Sequence, residues 1–273
     1  MPMRPLMRFL RSCVRASVIA VLASSLVGPA FAASARRPAP EGAPPGAPAE
    51  FTSFTDAELM RGFLALAFGS DMRIGNKADG IRRFDRPITV RIASGTGARA
   101  QRYRAVVDEM SRKVPWLVAK VTDTKPADIV VWLINEKDFL PAMARAFGFR
   151  DATAFVRKTD PQCMTQTQSR PDGTIERATV FIIVDQGNDV FINCAYHETM
   201  HAFGLRNHAD SNPWTILNQN RTVGYLTEYD RLMLAILYDP AVKPGMTKPE
   251  VNAVLPEIVD KINAQSKSAS ERR

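Results

Sequence analysis

All three histidines of this 273-residue chain lie in one segment, Cys194-Ala-Tyr-His-Glu-Thr-Met-His-Ala-Phe-Gly-Leu-Arg-Asn-His-Ala-Asp210. Two of them, His197 and His201, are four residues apart, a spacing that places both imidazoles on one face of an α-helix. Two imidazoles on one face can bind a single metal ion. Glu198 lies beside the first histidine, where its carboxylate can reach a water molecule on that ion. The pattern His-Glu-x-x-His therefore predicts a helical zinc pair with a general base.

A third metal ligand is expected shortly after this helix. Gly204 follows His201 by three residues, and a helix often ends at a glycine because glycine adopts left-handed backbone at little cost. The chain can then turn back toward the metal. A catalytic zinc normally takes three protein ligands and leaves its fourth position for water. The candidates for the third ligand are Asn207, His208 and Asp210.

The motif from His197 to Gly204 resembles that of the metzincin branch of zinc metallopeptidases. In that family the third ligand usually lies three residues beyond the glycine, and here that position holds Asn207. Asparagine is a neutral and weak zinc ligand, whereas His208 has the preferred chemistry. We therefore expect His208 to be the third ligand, one residue away from the family spacing. A similar arrangement occurs in small secreted bacterial zinc proteases, in which an aspartate fills this position and a histidine follows it.

The resemblance continues after the histidines. Metzincins have a methionine turn under the metal, followed by a helix with an aspartate and a terminal Leu-Tyr. Here Leu217 stands at the methionine position, and a predicted helix capped by Thr227 ends in Leu237-Tyr238. The block from the zinc helix through Leu237-Tyr-Asp-Pro240 and Lys243-Pro-Gly-Met246 also resembles a bacterial family of exported proteins known only as a domain of unknown function. Many members of that family replace the histidines by other polar residues, which implies that the fold can persist without the metal.

The rest of the chain predicts an α+β, zincin-like fold: a mixed, mostly parallel sheet with an antiparallel edge hairpin, an active-site helix and C-terminal helices. Thr55 and Glu58 form a capping-box pattern at the start of a first helix, and a second helix is expected before Val114. Apolar and alternating patterns predict strands at residues 87–92, 116–121, 127–134, 163–169 and 179–184. The third of these strands is almost entirely apolar and is therefore expected at the centre of the sheet.

The last two predicted strands flank the turn Pro171-Asp-Gly173 and form a hairpin. In metallopeptidases of the resembled kind, an antiparallel edge strand just before the zinc helix binds the substrate as a further strand. Unpaired backbone groups on a sheet edge make such binding physically sensible. A plain surface hairpin is the alternative.

Residues 1–32 are typical of a secretory signal peptide. Four arginines without an acidic residue precede an apolar run near residues 18–27, and Ala30-Phe-Ala32 is a small-x-small cleavage site. We expect cleavage after Ala32 and a periplasmic or secreted protein without a stable membrane span; an uncleaved anchor is the alternative. Residues 33–50 are rich in Pro and Ala and predict a disordered linker or a short propeptide.

One zincin-like metallopeptidase domain is expected over residues 51–264, with a disordered tail at 265–273. Of the three cysteines, Cys13 lies in the predicted signal peptide and leaves Cys163 and Cys194 in the mature chain. In an oxidising compartment such a pair is most simply a disulfide. The rival interpretation makes Cys194 a soft zinc ligand.

The charge of the chain argues against a nucleic-acid partner. The formal net charge is +8, and removal of the four signal-peptide arginines lowers it to about +4. No run of Lys or Arg interleaved with aromatic residues stands out. The expected partner is a peptide or protein substrate, and the sequence leaves the oligomeric state open.

These observations predict an exported zinc-dependent metallopeptidase. Its metal ligands would be His197, His201 and His208, and Glu198 would activate the zinc-bound water. Tyr225 or Tyr229 are candidates for stabilising the oxyanion, although a buried tyrosine is more often part of a core. The alternative function is a degenerate zincin-fold binding domain of the cell envelope without catalysis. A small-molecule hydrolase and a solvated helix face without metal are also compatible with these residues.

Overall fold

The computed structural model describes residues 53–69, 80–95, 97–148, 152–154, 156–157 and 161–270. The predicted signal peptide and linker, residues 1–50, lie outside the described residues. Within the described part of the chain, no helix is both long enough and apolar enough to cross a membrane.

A five-stranded sheet with the strand order β2-β1-β3-β5-β4 forms the centre of the fold. The strands are β1 (Ile88–Ser94), β2 (Ala119–Val121), β3 (Ile129–Ile134), β4 (Cys163–Ser169) and β5 (Ile175–Ile183). Neighbouring strands run parallel except for β4, which pairs antiparallel with β5. The predicted mixed, mostly parallel sheet with an antiparallel edge hairpin is confirmed, and the apolar strand β3 lies at its centre as predicted.

The second strand is shorter than predicted. Its sequence pattern begins at Trp116, but β2 itself begins at Ala119. Trp116 has a backbone φ of 65°, a left-handed conformation that does not fit a strand. The chain therefore turns at Trp116 and joins the sheet only three residues later.

Helices pack around this sheet. They are α1 (Asp56–Ala67), α2 (Ala98–Lys113), α3 (Glu136–Phe147), α4 (Asn188–Phe203), α5 (Glu228–Tyr238) and α6 (Lys248–Ser270). The predicted capping box is present, because the Thr55 hydroxyl accepts from the backbone of Glu58 and the Glu58 carboxylate accepts from the backbone of Thr55. Thr227 caps α5 as predicted, because its hydroxyl accepts from the backbone of Asp230. Helix α6 continues to Ser270, past residue 264 where the sequence placed the end of the domain.

Helix α4 carries the His-Glu-x-x-His motif and lies against β4, β5 and α2. Apolar side chains such as Phe191, Ala195 and Phe203 are fully buried in the main core. The helix ends at Gly204, which has a φ of 122°. A Cβ atom on this residue would lie 2.1 Å from the backbone oxygen of Arg82. Only glycine fits there, and the chain can turn at this point toward His208.

Candidate metal centre

The side chains of the three histidines converge on one point. The Nε2 atom of His197 lies 3.1 Å from that of His201 and 3.0 Å from that of His208, and the last two are 3.2 Å apart. Tetrahedral zinc with Zn–N distances of about 2.0–2.1 Å would place its nitrogen ligands roughly 3.3 Å from one another. The three residues predicted as metal ligands are therefore close enough to hold one metal ion together.

The other ring nitrogens determine which tautomer two of the histidines adopt. Nδ1 of His197 lies 2.9 Å from the carbonyl oxygen of Ile216, and Nδ1 of His201 lies 2.6 Å from that of Leu205. A carbonyl oxygen can only accept a hydrogen bond, so each Nδ1 carries the proton and donates it. In the neutral rings, the Nε2 atoms of His197 and His201 then both carry lone pairs. Two lone pairs 3.1 Å apart cannot share a hydrogen bond. A cation between them would relieve this repulsion.

The surroundings keep these imidazoles neutral. Burial lowers the pKa of His197 to about 4, with a further contribution from the nearby His208. The pKa of His201 is likewise lowered, first by burial and then by the other two histidines. Neutral imidazole is the form that binds metals. His197 and His201 are thus in their metal-binding state at neutral pH.

Glu198 occupies a buried position on the same helix. Glu198 is only 4% exposed, and its Oε2 atom has no hydrogen-bond partner among the described residues. Burial raises the pKa of its carboxyl to about 8. A divalent cation nearby would favour the ionised form. A buried carboxyl without a cationic side-chain partner among the described residues therefore fits a site that holds a metal.

The predicted disulfide is present. Cys163 and Cys194 are bonded, with their Cα atoms 5.9 Å apart. The rival interpretation of Cys194 as a soft zinc ligand is therefore wrong, because its sulfur is not a free thiolate. The bond ties the edge strand β4 to helix α4 one turn before His197. On the same strand, the Thr165 hydroxyl donates to the backbone oxygen of Glu198 at 3.0 Å.

Asn207 and Asp210, the other candidates for the third ligand, have structural contacts. The Asn207 amide nitrogen donates to the backbone oxygens of Ala65 and Phe68, at 3.2 and 3.3 Å. It thereby closes the C-terminal end of α1 and anchors the loop that carries His208. The Asp210 carboxylate accepts from the backbone of Gln219 at 2.9 Å.

The two tyrosines considered for the oxyanion differ in burial. Tyr229 is 1% exposed, and its hydroxyl contacts the Asn212 amide at 2.9 Å and the Glu58 backbone oxygen at 3.3 Å. This places Tyr229 in the core between α1 and α5. Tyr225 is half-buried in the loop before α5. Leu217, at the methionine position of the metzincin pattern, is fully buried.

Asp230 stabilises the loop that orients His197. Its carboxylate accepts from the Thr215 hydroxyl at 2.6 Å, the Ile216 backbone at 3.0 Å and the Thr227 hydroxyl at 2.7 Å. Burial raises its pKa to about 6, and these hydrogen bonds oppose the rise. Asp230 thus fixes Ile216, whose carbonyl oxygen orients His197. The resembled family has an aspartate in this helix, but local sequence could not show the contacts of Asp230 with Ile216 and Thr215, which are 14 and 15 residues away.

We expect Asp230→Ala to weaken metal binding by about 10- to 100-fold, as is typical when the support of a ligand is lost. The buried Ile216 amide would lose its acceptor, and the loop that orients His197 would relax. Competition with a chelator measures the zinc affinity. Glu228→Ala is a matched control on the same helix, because Glu228 forms a local pair with Arg231. Equal zinc affinity in the Asp230 variant and the control would contradict this role.

A family model described as "Protein of unknown function (DUF2927)" matches residues 56–257. The chain belongs to the DUF2927 family. The match covers the whole sheet, the three histidines and α5, so the centre lies within the DUF2927 region. A search of curated proteins gave no match. The DUF2927 description assigns no activity, and the metzincin resemblance of residues 197–204 stays a prediction.

Proposed function

We propose that this protein is an exported zinc-dependent metallopeptidase. The observation that carries the proposal is the convergence of three imidazole nitrogens within 3.2 Å of one another, beside a buried glutamate on the same helix. Three histidine ligands with an open fourth position are typical of catalytic rather than structural zinc. Imidazole ligands also favour zinc over magnesium or calcium, which prefer oxygen.

Metal binding and proton transfer would be carried out by different residues of the chain. His197, His201 and His208 would hold the ion, and the carbonyl oxygens of Ile216 and Leu205 keep two of the rings in the required orientation. When bound, zinc would supply a Lewis acid and lower the pKa of a water molecule toward about 7. The Glu198 carboxylate would accept the proton of the attacking water and deliver it to the nitrogen of the leaving amine.

The position of β4 supports a peptide as the substrate. This strand is the last in the sheet order, and within the described residues it pairs with β5 alone. Its Thr165 contacts the backbone of Glu198, so this strand lies beside the metal-binding helix. An extended peptide can add to such an edge through backbone hydrogen bonds. A scissile bond would in this way be brought to the metal centre.

The disulfide supports a location outside the cytoplasm. Cys163 and Cys194 are bonded, and such bonds persist mainly in the periplasm or outside the cell. This agrees with the secretory signal expected from residues 1–32, with cleavage after Ala32.

The decisive test is Glu198→Gln in the mature chain produced in an oxidising compartment. We expect one zinc ion per chain in both the parent and the variant, and a loss of turnover of about 10²- to 10⁴-fold in the variant, because a glutamine cannot accept the proton. Zinc content and cleavage of a fluorogenic peptide library measure the two effects. Glu228→Gln controls for the removal of one carboxylate.

Three results would contradict the proposed function or the role of Glu198 in it. Zinc binding without cleavage by the parent would favour the degenerate binding domain, particularly if both proteins retained equal affinity for peptides. Equal turnover in parent and variant would remove Glu198 from the mechanism. A parent without zinc would refute the proposal altogether.

A further inference from the structure

Gln219 brings a further polar side chain to the metal centre. Its amide nitrogen Nε2 lies 3.4 Å from the Nε2 atom of His208. The Nε2 atom of His208 is one of the three histidine nitrogens that are close enough to hold one metal ion. Gln219 is exposed to solvent.

The backbone around Gln219 is held firmly in place. Its own N–H donates to the Asp210 carboxylate at 2.9 Å. The neighbouring Asn218 is 4% exposed; it donates to the Asn212 backbone oxygen at 2.8 Å and accepts from the Asn220 backbone at 2.9 Å. The segment that carries Gln219 is therefore tied directly to the segment that carries His208. A residue on such a support can position a hydrogen-bond donor precisely, as transition-state stabilisation requires.

The chemistry of the amide suits a donor rather than a ligand. An amide N–H₂ group has two hydrogens to donate, and its nitrogen offers no ordinary lone pair to a metal. Tyr229 cannot take this role from its place in the core, where its hydroxyl contacts Asn212 and Glu58. A side chain that donates beside the metal would act when negative charge develops on the substrate carbonyl oxygen.

We propose that Gln219 is a catalytic residue that donates a hydrogen bond from Nε2 to the carbonyl oxygen of the scissile peptide as the electron pair of the C=O π bond moves onto that oxygen. This inference rests on the proposed peptidase function. It adds a donor from the chain to the site that zinc and Glu198 would form. Loss of such a donor lowers kcat by about 10²- to 10³-fold in enzymes that stabilise an oxyanion.

The test compares Gln219→Ala and Gln219→Glu with Thr222→Ala, an exposed substitution on the same loop. The glutamate has nearly the same shape as glutamine but cannot donate when ionised, so it separates the donor role from packing. Each mature protein is assayed for thermal unfolding, zinc affinity by chelator competition, affinity for the anionic zinc-binding probe acetohydroxamate, and kcat and KM on the best library peptide.

We expect Gln219→Ala to retain zinc affinity within about threefold, to bind acetohydroxamate about tenfold more weakly and to lose about 10²-fold in kcat with little change in KM. We expect Gln219→Glu to lower kcat to a similar extent while zinc affinity is retained. The Thr222→Ala control should match the parent in every assay.

Several results would overturn the inference. A zinc affinity more than tenfold weaker in Gln219→Ala would make Gln219 a metal ligand instead of a donor. Unchanged kcat and unchanged probe affinity would show that the amide has no role. If the parent binds zinc and acetohydroxamate but cleaves no peptide, the peptidase proposal fails, and probe affinity in the Gln219 variants alone decides whether Gln219 donates to an anion at the metal. A parent without zinc would overturn both.

Discussion

We expect His208→Ala to lose its zinc under conditions in which the parent chain retains one ion. Zinc sites bind with roughly 10–16 kcal/mol in total, so the loss of one histidine ligand removes about 3–4 kcal/mol, or about 10²- to 10³-fold in affinity. The effect should be large because His208 comes from a loop, separately from the two helical histidines, and its Nε2 completes the triangle of nitrogens. Metal analysis after dialysis and chelator competition measure it.

Asn207→Ala is the matched variant for His208→Ala, because Asn207 was one of the two alternative ligands and lies one residue away. We expect this variant to keep its zinc and to unfold at a lower temperature, since the amide holds the C-terminal end of α1. Zinc retained in His208→Ala and lost in Asn207→Ala would reverse the assignment and restore the family spacing.

Removal of the disulfide should produce the largest loss of stability. The bond between Cys163 and Cys194 closes a loop with a sequence separation of 31 residues. The chain-entropy relation for a loop of this length gives about 3–4 kcal/mol of stabilisation, through restriction of the unfolded chain. We expect Cys163→Ser with Cys194→Ser to lower the free energy of unfolding by about this amount.

Chemical denaturation of the zinc-free proteins is the appropriate measurement, because bound zinc would add its own stabilisation. The parent under reducing conditions provides a control that changes no side chain, and it should resemble the double variant. A difference below about 1 kcal/mol between oxidised and reduced parent would contradict the prediction. It would mean that the unfolded chain near β4 and α4 is already restricted without the bond.

Local rules were sufficient where neighbours in the chain determine the outcome. The spacing of His197 and His201 places both on one helical face whatever surrounds them, and the capping box from Thr55 to Glu58 spans only four residues. Period-two patterns located the strands, although β5 begins at Ile175, four residues before the predicted start at Thr179, and the apolar run of β3 indicated its central place. These patterns failed at Trp116, where a left-handed residue shortened β2.

The sequence by itself determined the mixed sheet, the His-Glu-x-x-His helix and the two cysteines available for a disulfide, because each depends on residue type and short spacing. Only the tertiary structure decided which side chains meet across long separations: His208 with the helical histidines, Asp230 beneath Ile216, and Gln219 beside His208. The physical reason is that loops 207–212 and 215–220 take their course from the packing and hydrogen bonds of the whole domain. No local propensity specifies where such loops bring their side chains.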